Sequence, residues 1–155
     1  MNAKKFSSSE HHGGFTLVEV LVALVVMAVG MLGIAALYVE GLRAGRTAIY
    51  RTAAVSLAAD MADRIRANPN AAAGYAGVGP GANNGCVNGP VDCSATQLAQ
   101  DDWFWWLQSV NDNMPSGTAA AIAVQDLPLT TQYNITVSWP EAGLGTVSYT
   151  LAMQF

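Results

Sequence analysis

The N-terminal part of the chain is dominated by one long apolar run. Residues 1–14 are polar, with basic side chains at Lys4 and Lys5, and they end in two glycines. From Phe15 to Val39 the side chains are almost all apolar, and residues 20–39 carry no charge. A helix of that length spans about 30 Å, the thickness of the hydrocarbon core of a bilayer. The pattern therefore predicts a membrane-spanning helix over residues 15–39.

The apolar pattern changes after this run, and residues 40–68 are predicted as an amphipathic continuation of the same helix. No proline interrupts the chain before Pro69, which disfavours helical backbone at the residue that precedes it. Apolar residues recur at every fourth position and form one stripe, which consists of Ile49, Ala53, Leu57, Met61 and Ile65. We expect this stripe to pack onto the globular part of the protein.

The next segment combines a glycine-rich loop with a short helix. Residues 69–93 are rich in glycine and proline and are predicted as a loop. Ser94 and Gln97 form a capping-box pattern, which begins a helix predicted over residues 95–113.

Two explanations of Trp105, which lies on this helix, stay open. Its ring either makes a second core contact or meets a neighbouring subunit.

The C-terminal part alternates apolar and polar side chains, as half-buried strands do. The predicted strands lie within residues 119–155 and cover residues 119–124, 133–139 and 147–155, with residues 140–145 as a hairpin loop. Residues 69–155 are thus predicted as a globular domain. Its sheet needs a cover for one apolar face, and the apolar stripe of the long helix supplies one. The predicted fold class is α+β, with a long N-terminal helix packed on a small antiparallel sheet.

Composition and charge narrow the possible partners. The chain is 52% hydrophobic and 12% charged, with a formal net charge of −4. No basic residue follows Arg66, so the C-terminal half lacks the Lys and Arg cluster that a nucleic-acid surface requires. We therefore expect no nucleic-acid partner for that half.

The two cysteines, Cys86 and Cys93, are expected to form a local disulfide. A tetrahedral zinc site needs four ligands, and both histidines lie far upstream at His11 and His12. The disulfide would place this part of the chain in an oxidising compartment, such as a periplasm or the cell exterior.

No catalytic constellation is apparent, and we expect neither an enzyme nor a cofactor. The chain has no His and no Lys after Gly14, and no phosphate-loop pattern. Asp101, Asp102 and Asp112 are interpreted as solvated helix acids rather than as a general acid–base pair.

Glu19 is unusual because it lies within the apolar run. A carboxylate near a bilayer centre costs roughly 2.5–3.5 kcal/mol on insertion scales, although Glu19 is close to one end of the span. One interpretation is a tolerated acid at the membrane interface. The other is an acid with a cationic partner inside a protein assembly, such as a free amine on Phe15.

The segment Gly14-Phe15-Thr16-Leu17-Val18-Glu19 resembles the type IV prepilin processing motif. The resemblance implies that residues 1–14 are a leader, removed between Gly14 and Phe15 by a prepilin peptidase. It also implies N-methylation of the new terminus at Phe15. In this family Glu19 would neutralise a terminal amine as subunits pack into a filament.

A closer resemblance covers residues 14–68. The run from Glu19 to Leu37, then Tyr50-Arg51 and residues 60–68, is similar to the minor pilin family called type IV pilus modification protein PilV. It implies a minor pilin that acts in pilus assembly or initiation, and a pilin-like fold. The implied partners are other minor pilins, the major pilin, the prepilin peptidase and N-methyltransferase, the inner-membrane assembly machinery and membrane lipid.

The same resemblance implies a single-pass inner-membrane protein with a periplasmic C-terminal domain, which later joins the pilus at the cell surface. Charge does not decide the orientation, because arginines lie close behind the span as well as lysines before it. Two alternatives stay open. One is a minor pseudopilin of a type II secretion system, and the other is a single-pass anchored periplasmic domain that binds a ligand and never polymerises.

Overall fold

A computed structural model describes residues 14–87, 89 and 91–154. The helices are α1 (Leu17–Ala67), a 3₁₀ helix (Pro69–Tyr75) and α2 (Ala95–Asn113). The strands are β1 (Ala119–Asp126), β2 (Thr131–Glu141) and β3 (Gly145–Gln154). By its internal contacts the chain divides into two units, one that ends at Arg43 and one that begins at Ala44.

In the first unit the described residues of α1 are all exposed. Their apolar side chains have no covering partner within that described part, and the helix is long and apolar enough to cross a membrane by length and composition. Exposed apolar surface of this extent is unfavourable in water. This half of α1 therefore requires a bilayer or other protein chains around it.

In the second unit the three strands form one antiparallel sheet in the order β1-β2-β3. The register pairs Ile122 with Ile135, and Ile135 with Leu151. The central strand β2 buries alternate side chains completely, among them Ile135, Val137 and Trp139. The edge strand β3 is less covered, since only Met153 among its described residues is buried.

The core of this unit joins the second half of α1, helix α2 and the inner face of the sheet. The buried residues of α1 are Ala54, Leu57, Ala58, Met61, Ala62 and Ile65. From α2, the rings of Trp103 and Trp106 meet edge to face, 5.2 Å apart. Trp106 Nε1 also donates a hydrogen bond to the carbonyl oxygen of Leu57, at 2.8 Å. The predicted fold class, α+β with a long helix on a small antiparallel sheet, is confirmed.

The predicted apolar stripe is correct in its second half and wrong at its start. Leu57, Met61 and Ile65 are buried, but Ile49 is 65% exposed. A spacing of four residues turns about 40° beyond a full helical turn, so Ile49 lies about 160° around the helix from Ile65. The face that is buried follows a mixed spacing of three and four residues instead.

Loop boundaries also differ from the predictions. The segment predicted as a loop from residue 69 begins with the 3₁₀ helix, and Gly77 then pairs with Ile122 of β1. The hairpin loop is shorter than predicted, since β2 continues to Glu141 and β3 begins at Gly145. Phe155 lies outside the described residues.

We predict that Met61→Ala destabilises the protein while Ile49→Ala does not. Met61 is fully buried, so its truncation should lower the free energy of unfolding by about 2–5 kcal/mol. The change at exposed Ile49 should stay within about 0.5 kcal/mol. Denaturant unfolding of the full chain in detergent, followed by near-ultraviolet circular dichroism, would measure both. Equal losses would mean that both ends of the stripe face the core.

Candidate functional site: the N-terminal segment and the disulfide loop

Thr16 and Glu19 together form the start of α1. Gly14 and Phe15 precede the helix, and both are exposed. The main-chain N–H of Glu19 donates to the carbonyl oxygen of Thr16 at 3.1 Å and to its Oγ1 at 3.3 Å. Thr16 is therefore the N-cap. An acidic side chain in the first helical turn is also favoured by the helix dipole, so Glu19 has a local role.

This cap was missed at the sequence level, although a signal for it exists. Thr16-Leu17-Val18-Glu19 fits the capping-box pattern of Ser or Thr followed by Glu at the third helical position. Sequence reasoning applied that pattern at Ser94, where the reciprocal capping box is indeed present. Glu19 was instead interpreted only from the energetic cost of an acid within an apolar run, so the capping pattern was not applied there.

The side chain of Glu19 lies on one face of the helix with apolar neighbours. A shallow depression there is lined by Phe15, Glu19, Val20, Ala23, Leu24 and Met27. Within the described part of the chain, Glu19 has no ion-pair partner. The predicted roles of Gly14 and Phe15 in cleavage and of Glu19 in assembly stay predictions. Residues 1–13 of the predicted leader lie outside the described residues.

The disulfide between Cys86 and Cys93 is present, with the two Cα atoms 5.8 Å apart. This confirms the predicted pairing. The bond closes a short loop that follows the 3₁₀ helix and ends immediately before the N-cap of α2 at Ser94. It ties Cys86 to the residue that directly precedes the N-cap of α2.

Asp101 anchors this loop, and its sequence interpretation as a solvated acid is wrong. Its carboxylate is fully buried and accepts main-chain N–H bonds from Asn84, Gly85 and Val87. Burial alone would raise the pKa of Asp101, but these N–H groups together with that of Cys86 outweigh it and hold the pKa below its ordinary value. A single buried carboxylate therefore fixes the backbone of the loop through these hydrogen bonds.

Gly81 lets the loop approach α2 closely enough for these bonds. Its φ of +74° is unfavourable for a side-chain-bearing residue, and a Cβ atom there would overlap the carbonyl oxygen of Gln100. The next residue, Ala82, donates its N–H to that same carbonyl at 3.0 Å. The glycine content of the loop is therefore partly a packing requirement.

Asp102 is also buried, contrary to its interpretation as a solvated acid. It accepts the hydroxyl of Tyr75 at 2.6 Å and a guanidinium N–H of Arg64 at 3.3 Å. Asn68 donates to the Tyr75 hydroxyl and to the carbonyl oxygen of Ala95. Burial and the bond to Asp102 raise the pKa of Tyr75 far above its ordinary value, so it remains a protonated donor. This network joins α1, the 3₁₀ helix and α2.

These carboxylates are used in structural bonds rather than offered to a substrate. Asp101 and Asp102 both have their oxygens occupied by protein donors. Within residues 14–87, 89 and 91–154, no group of three His, Cys, Asp or Glu side chains is close enough to hold a metal ion. The arrangement supports a folded surface, and we assign no chemical step to it.

The sequence left two explanations of Trp105 open, a second core contact or a contact with a neighbouring subunit, and the structure does not fully match either one. It is half-buried, and its ring meets Phe104 edge to face at 5.3 Å. Its Nε1 is buried and has no hydrogen-bond partner among the described residues.

Two family models match adjoining parts of the chain. Residues 11–35 match the prokaryotic N-terminal methylation motif, and the match includes Gly14, Phe15 and Glu19. Residues 36–104 match the family described as type IV pilin Tt1218, which covers the second half of α1, the disulfide loop and the first half of α2. No curated protein and no solved structure is significantly similar to the chain.

We predict that Asp101→Asn destabilises the protein and flattens its acid sensitivity. Because the folded pKa of Asp101 is lowered, the carboxylate stabilises the fold above its unfolded pKa of about 3.9. This stabilisation is lost as the pH falls through the folded pKa. Near neutral pH the variant should lose about 1–3 kcal/mol, and less in acid.

Denaturant unfolding at neutral and acid pH would measure this effect, with Asp112→Asn as the control. Asp112 is exposed on the same helix, so its substitution should change the free energy of unfolding by less than about 0.5 kcal/mol. Hydrogen exchange should also become faster at Asn84, Gly85 and Val87 in the Asp101 variant. Unchanged exchange at these three amides would contradict the anchoring role.

Proposed function

We propose that this chain, which is a type IV pilin with an N-terminal methylation motif, serves as a minor pilin in pilus assembly or initiation. One observation carries the proposal. The motif with Gly14, Phe15 and Glu19 stands at the head of a helix whose apolar residues up to Arg43 are all exposed. Such a helix is stable in a bilayer, and also within a bundle of similar helices.

Processing would begin at the peptide bond between Gly14 and Phe15. A prepilin peptidase would hydrolyse this bond, so that the leader leaves with a carboxylate and Phe15 gains a free amine. The N-methyltransferase activity would then methylate this amine. Both residues are exposed and precede the helix, which is compatible with access by a peptidase.

Glu19 would act at the assembly step. In the membrane-stored subunit its carboxylate lies in the first turn of α1, where the helix dipole favours a negative charge. In a filament it would meet the terminal amine of a subunit and remove an unpaired charge from an apolar bundle. The amine exists only after cleavage, so processing and assembly would be linked by one charge pair.

The proposed location is the inner membrane with a periplasmic C-terminal domain, followed by the pilus at the cell surface. The disulfide supports this orientation, because such bonds persist in oxidising compartments. The partners would be membrane lipid, the prepilin peptidase, the inner-membrane assembly machinery, other minor pilins and the major pilin.

The finer assignment to the PilV type of minor pilin is supported by the resemblance of residues 14–68. A minor pseudopilin of a type II secretion system would share the leader, the helix and the sheet. The two proposals differ in where the mature chain is found. A minor pilin should be recovered in filaments sheared from the cell surface, whereas a pseudopilin should stay in the cell envelope.

We predict that the mature chain begins at Phe15 and carries one added methyl group. Intact mass and N-terminal sequencing of the protein from the native membrane fraction would measure both. A chain that still begins at Met1, or that has lost the apolar run, would contradict the proposal. It would favour an ordinary anchored or secreted domain.

We also predict that Glu19→Ala leaves cleavage unchanged but reduces incorporation into sheared filaments. The physical reason is that the terminal amine would then lack its counter-charge in an apolar surrounding. Glu40→Ala is the matched control, because Glu40 is an exposed acid on the same helix that pairs with Arg43. Immunoblots of membrane and filament fractions would compare the variants. Normal incorporation of the Glu19 variant would rule out the assembly role.

A further inference from the structure

The two edges of the sheet differ in how they are covered. At the β1 edge, the main chain of Ile122 exchanges two hydrogen bonds with Gly77, at 2.8 and 2.9 Å, so that edge is paired at this point. Strand β3 pairs with β2 on one side only. On its other side, the described residues of β3 make no main-chain hydrogen bond to another segment. Strand β3 is therefore the open edge of this sheet.

The open edge lacks the features by which natural edge strands avoid pairing with other chains. Such strands are commonly short, or they carry Lys, Pro, a bulge or an inward-pointing charge. Strand β3 is 10 residues long and contains no proline and no charged side chain. Its register with β2 runs without a bulge from Gly145 to Gln154. An uninterrupted, uncharged edge of this kind is a template for another extended chain.

A crevice of about 310 Å³ lies beside this edge, between β3 and α1. Its lining consists of Arg51, Val55, Trp139, Val147, Ser148 and Tyr149. Val147 and Tyr149 lie on the inner face of β3 but stay half-buried, whereas Trp139 on the central strand is 1% exposed. The inner face of the sheet is therefore incompletely covered along β3.

Helix α2 does not cover the side of α1 that borders the crevice. It packs along the flank of Leu57, whose carbonyl oxygen accepts the hydrogen bond from Trp106. Val55 precedes Leu57 by two residues and therefore lies about 160° around the helix from it. Its side chain is 45% exposed. The crevice thus opens between an uncovered flank of α1 and an unpaired strand.

The chemistry of the lining defines the side chain that it accepts. The guanidinium of Arg51 approaches the carboxylate of Glu141 at 3.7 Å, so the two charges offset each other. The large side chains of the remaining lining are apolar or aromatic. The crevice is therefore complementary to an uncharged apolar side chain, because a charged one would be buried without a counter-charge. Nε1 of Trp139 is also buried without a partner among the described residues, and an acceptor on the occupant would satisfy it.

A second copy of this chain does not suit the edge. Antiparallel pairing of two β3 edges places a two-fold axis perpendicular to the joined sheet. Because α1 packs on the face of the sheet, this axis makes the second halves of the two α1 helices point in opposite directions. Subunits that share one membrane or one filament point in the same direction. This step, which concerns the donor of the strand and not the edge itself, rests on the proposed function.

We propose that the open edge of β3 binds an extended peptide tail of another protein, which adds to the sheet as a further antiparallel strand. Main-chain hydrogen bonds to β3 provide the affinity. An uncharged apolar side chain of the tail enters the crevice between Val55 and Val147, which removes apolar surface from water. The antiparallel direction is favoured because both existing strand pairs are antiparallel and such pairs predominate in proteins.

The test measures binding of a fluorescent synthetic peptide to the full-length chain in detergent. The peptide alternates Val and Thr, so one of its faces is apolar when it is extended. We expect saturable binding by fluorescence anisotropy, with slower hydrogen exchange in residues 145–154 but not in residues 119–126. The same peptide with N-methylated main-chain amides keeps its side chains but lacks the donors, so it should not bind. Absence of binding, equal binding of both peptides, or binding without protection in β3 would contradict strand addition.

Charge variants test the crevice. Val55→Lys should weaken peptide binding about tenfold, which corresponds to ~1.4 kcal/mol, because it places a charge where an apolar side chain enters. Val55 is exposed and outside the core, so the variant should keep the fold. Ile49→Lys is the matched control, since Ile49 is an exposed residue of α1 that lies about 120° around the helix from Val55. Equal affinities of the two variants would rule out entry of a side chain into the crevice.

The donor is tested in the cells that produce the protein, with a photo-reactive benzophenone amino acid in place of Val55 or, as control, Ile49. Mass spectrometry should map an adduct at residue 55, and not at residue 49, to an extended tail of a different protein. No adduct at residue 55, or an adduct with lipid, with a second copy or with the globular part of a pilin, would overturn the assignment of the donor.

The outcomes separate this inference from the proposed function. Peptide binding in detergent involves no filament, so its failure would remove the docking site and leave the proposed role in the pilus untouched. Absence of the chain from sheared filaments would contradict the proposed function, whereas binding and protection at β3 would still support the open edge.

Discussion

The rest of the structure depends on one constraint, which is that a single helix has to be stable in two different surroundings. Up to Arg43 the described residues of α1 present apolar side chains in every direction. From Ala54 onward the helix is amphipathic, and one face enters a protein core. A helix that is apolar all round is stable in lipid or among other helices, whereas an amphipathic one needs a globular partner. The division of the chain into two units follows from this change of surroundings.

Helix α2 completes the small core around the second half of α1. Its tryptophans fill the space between α1 and the sheet, and Trp106 also bonds to the backbone of α1. The adjacent acids, Asp101 and Asp102, then face the glycine-rich loop and the 3₁₀ helix. Buried carboxylates are favourable only when donors satisfy them, and here the main chain and the Tyr75 hydroxyl do so. Apolar packing and loop anchoring therefore come from neighbouring positions of one helix.

The distribution of charge is compatible with the proposed assembly into a filament. The arginines lie on α1 between Arg43 and Arg66, and every charged residue beyond them is acidic. Within the described second unit, several of these charges have no ion-pair partner, and the sheet leaves a crevice beside Arg51. A monomer gains little from such an arrangement, because solvated charges interact weakly. A subunit that packs against others can use it to select the orientation and the identity of its neighbours.

The features that the sequence by itself determined are those set by short-range physics. The membrane-length helix depends on a continuous apolar run, and the strands depend on alternation. The cap at Ser94 depends on residues three positions apart, and the N-terminal methylation motif depends on residues 14–19. Even the Cys86–Cys93 pairing was predictable, because no other ligand lay near the two cysteines. Only the tertiary structure decided that Asp101 and Asp102 are buried, that Ile49 faces outward and that β3 leaves a crevice. These outcomes depend on which segments distant along the chain come into contact, and on how the 3.6-residue helical turn rotates each side chain relative to them. A single stretch of sequence does not contain that information.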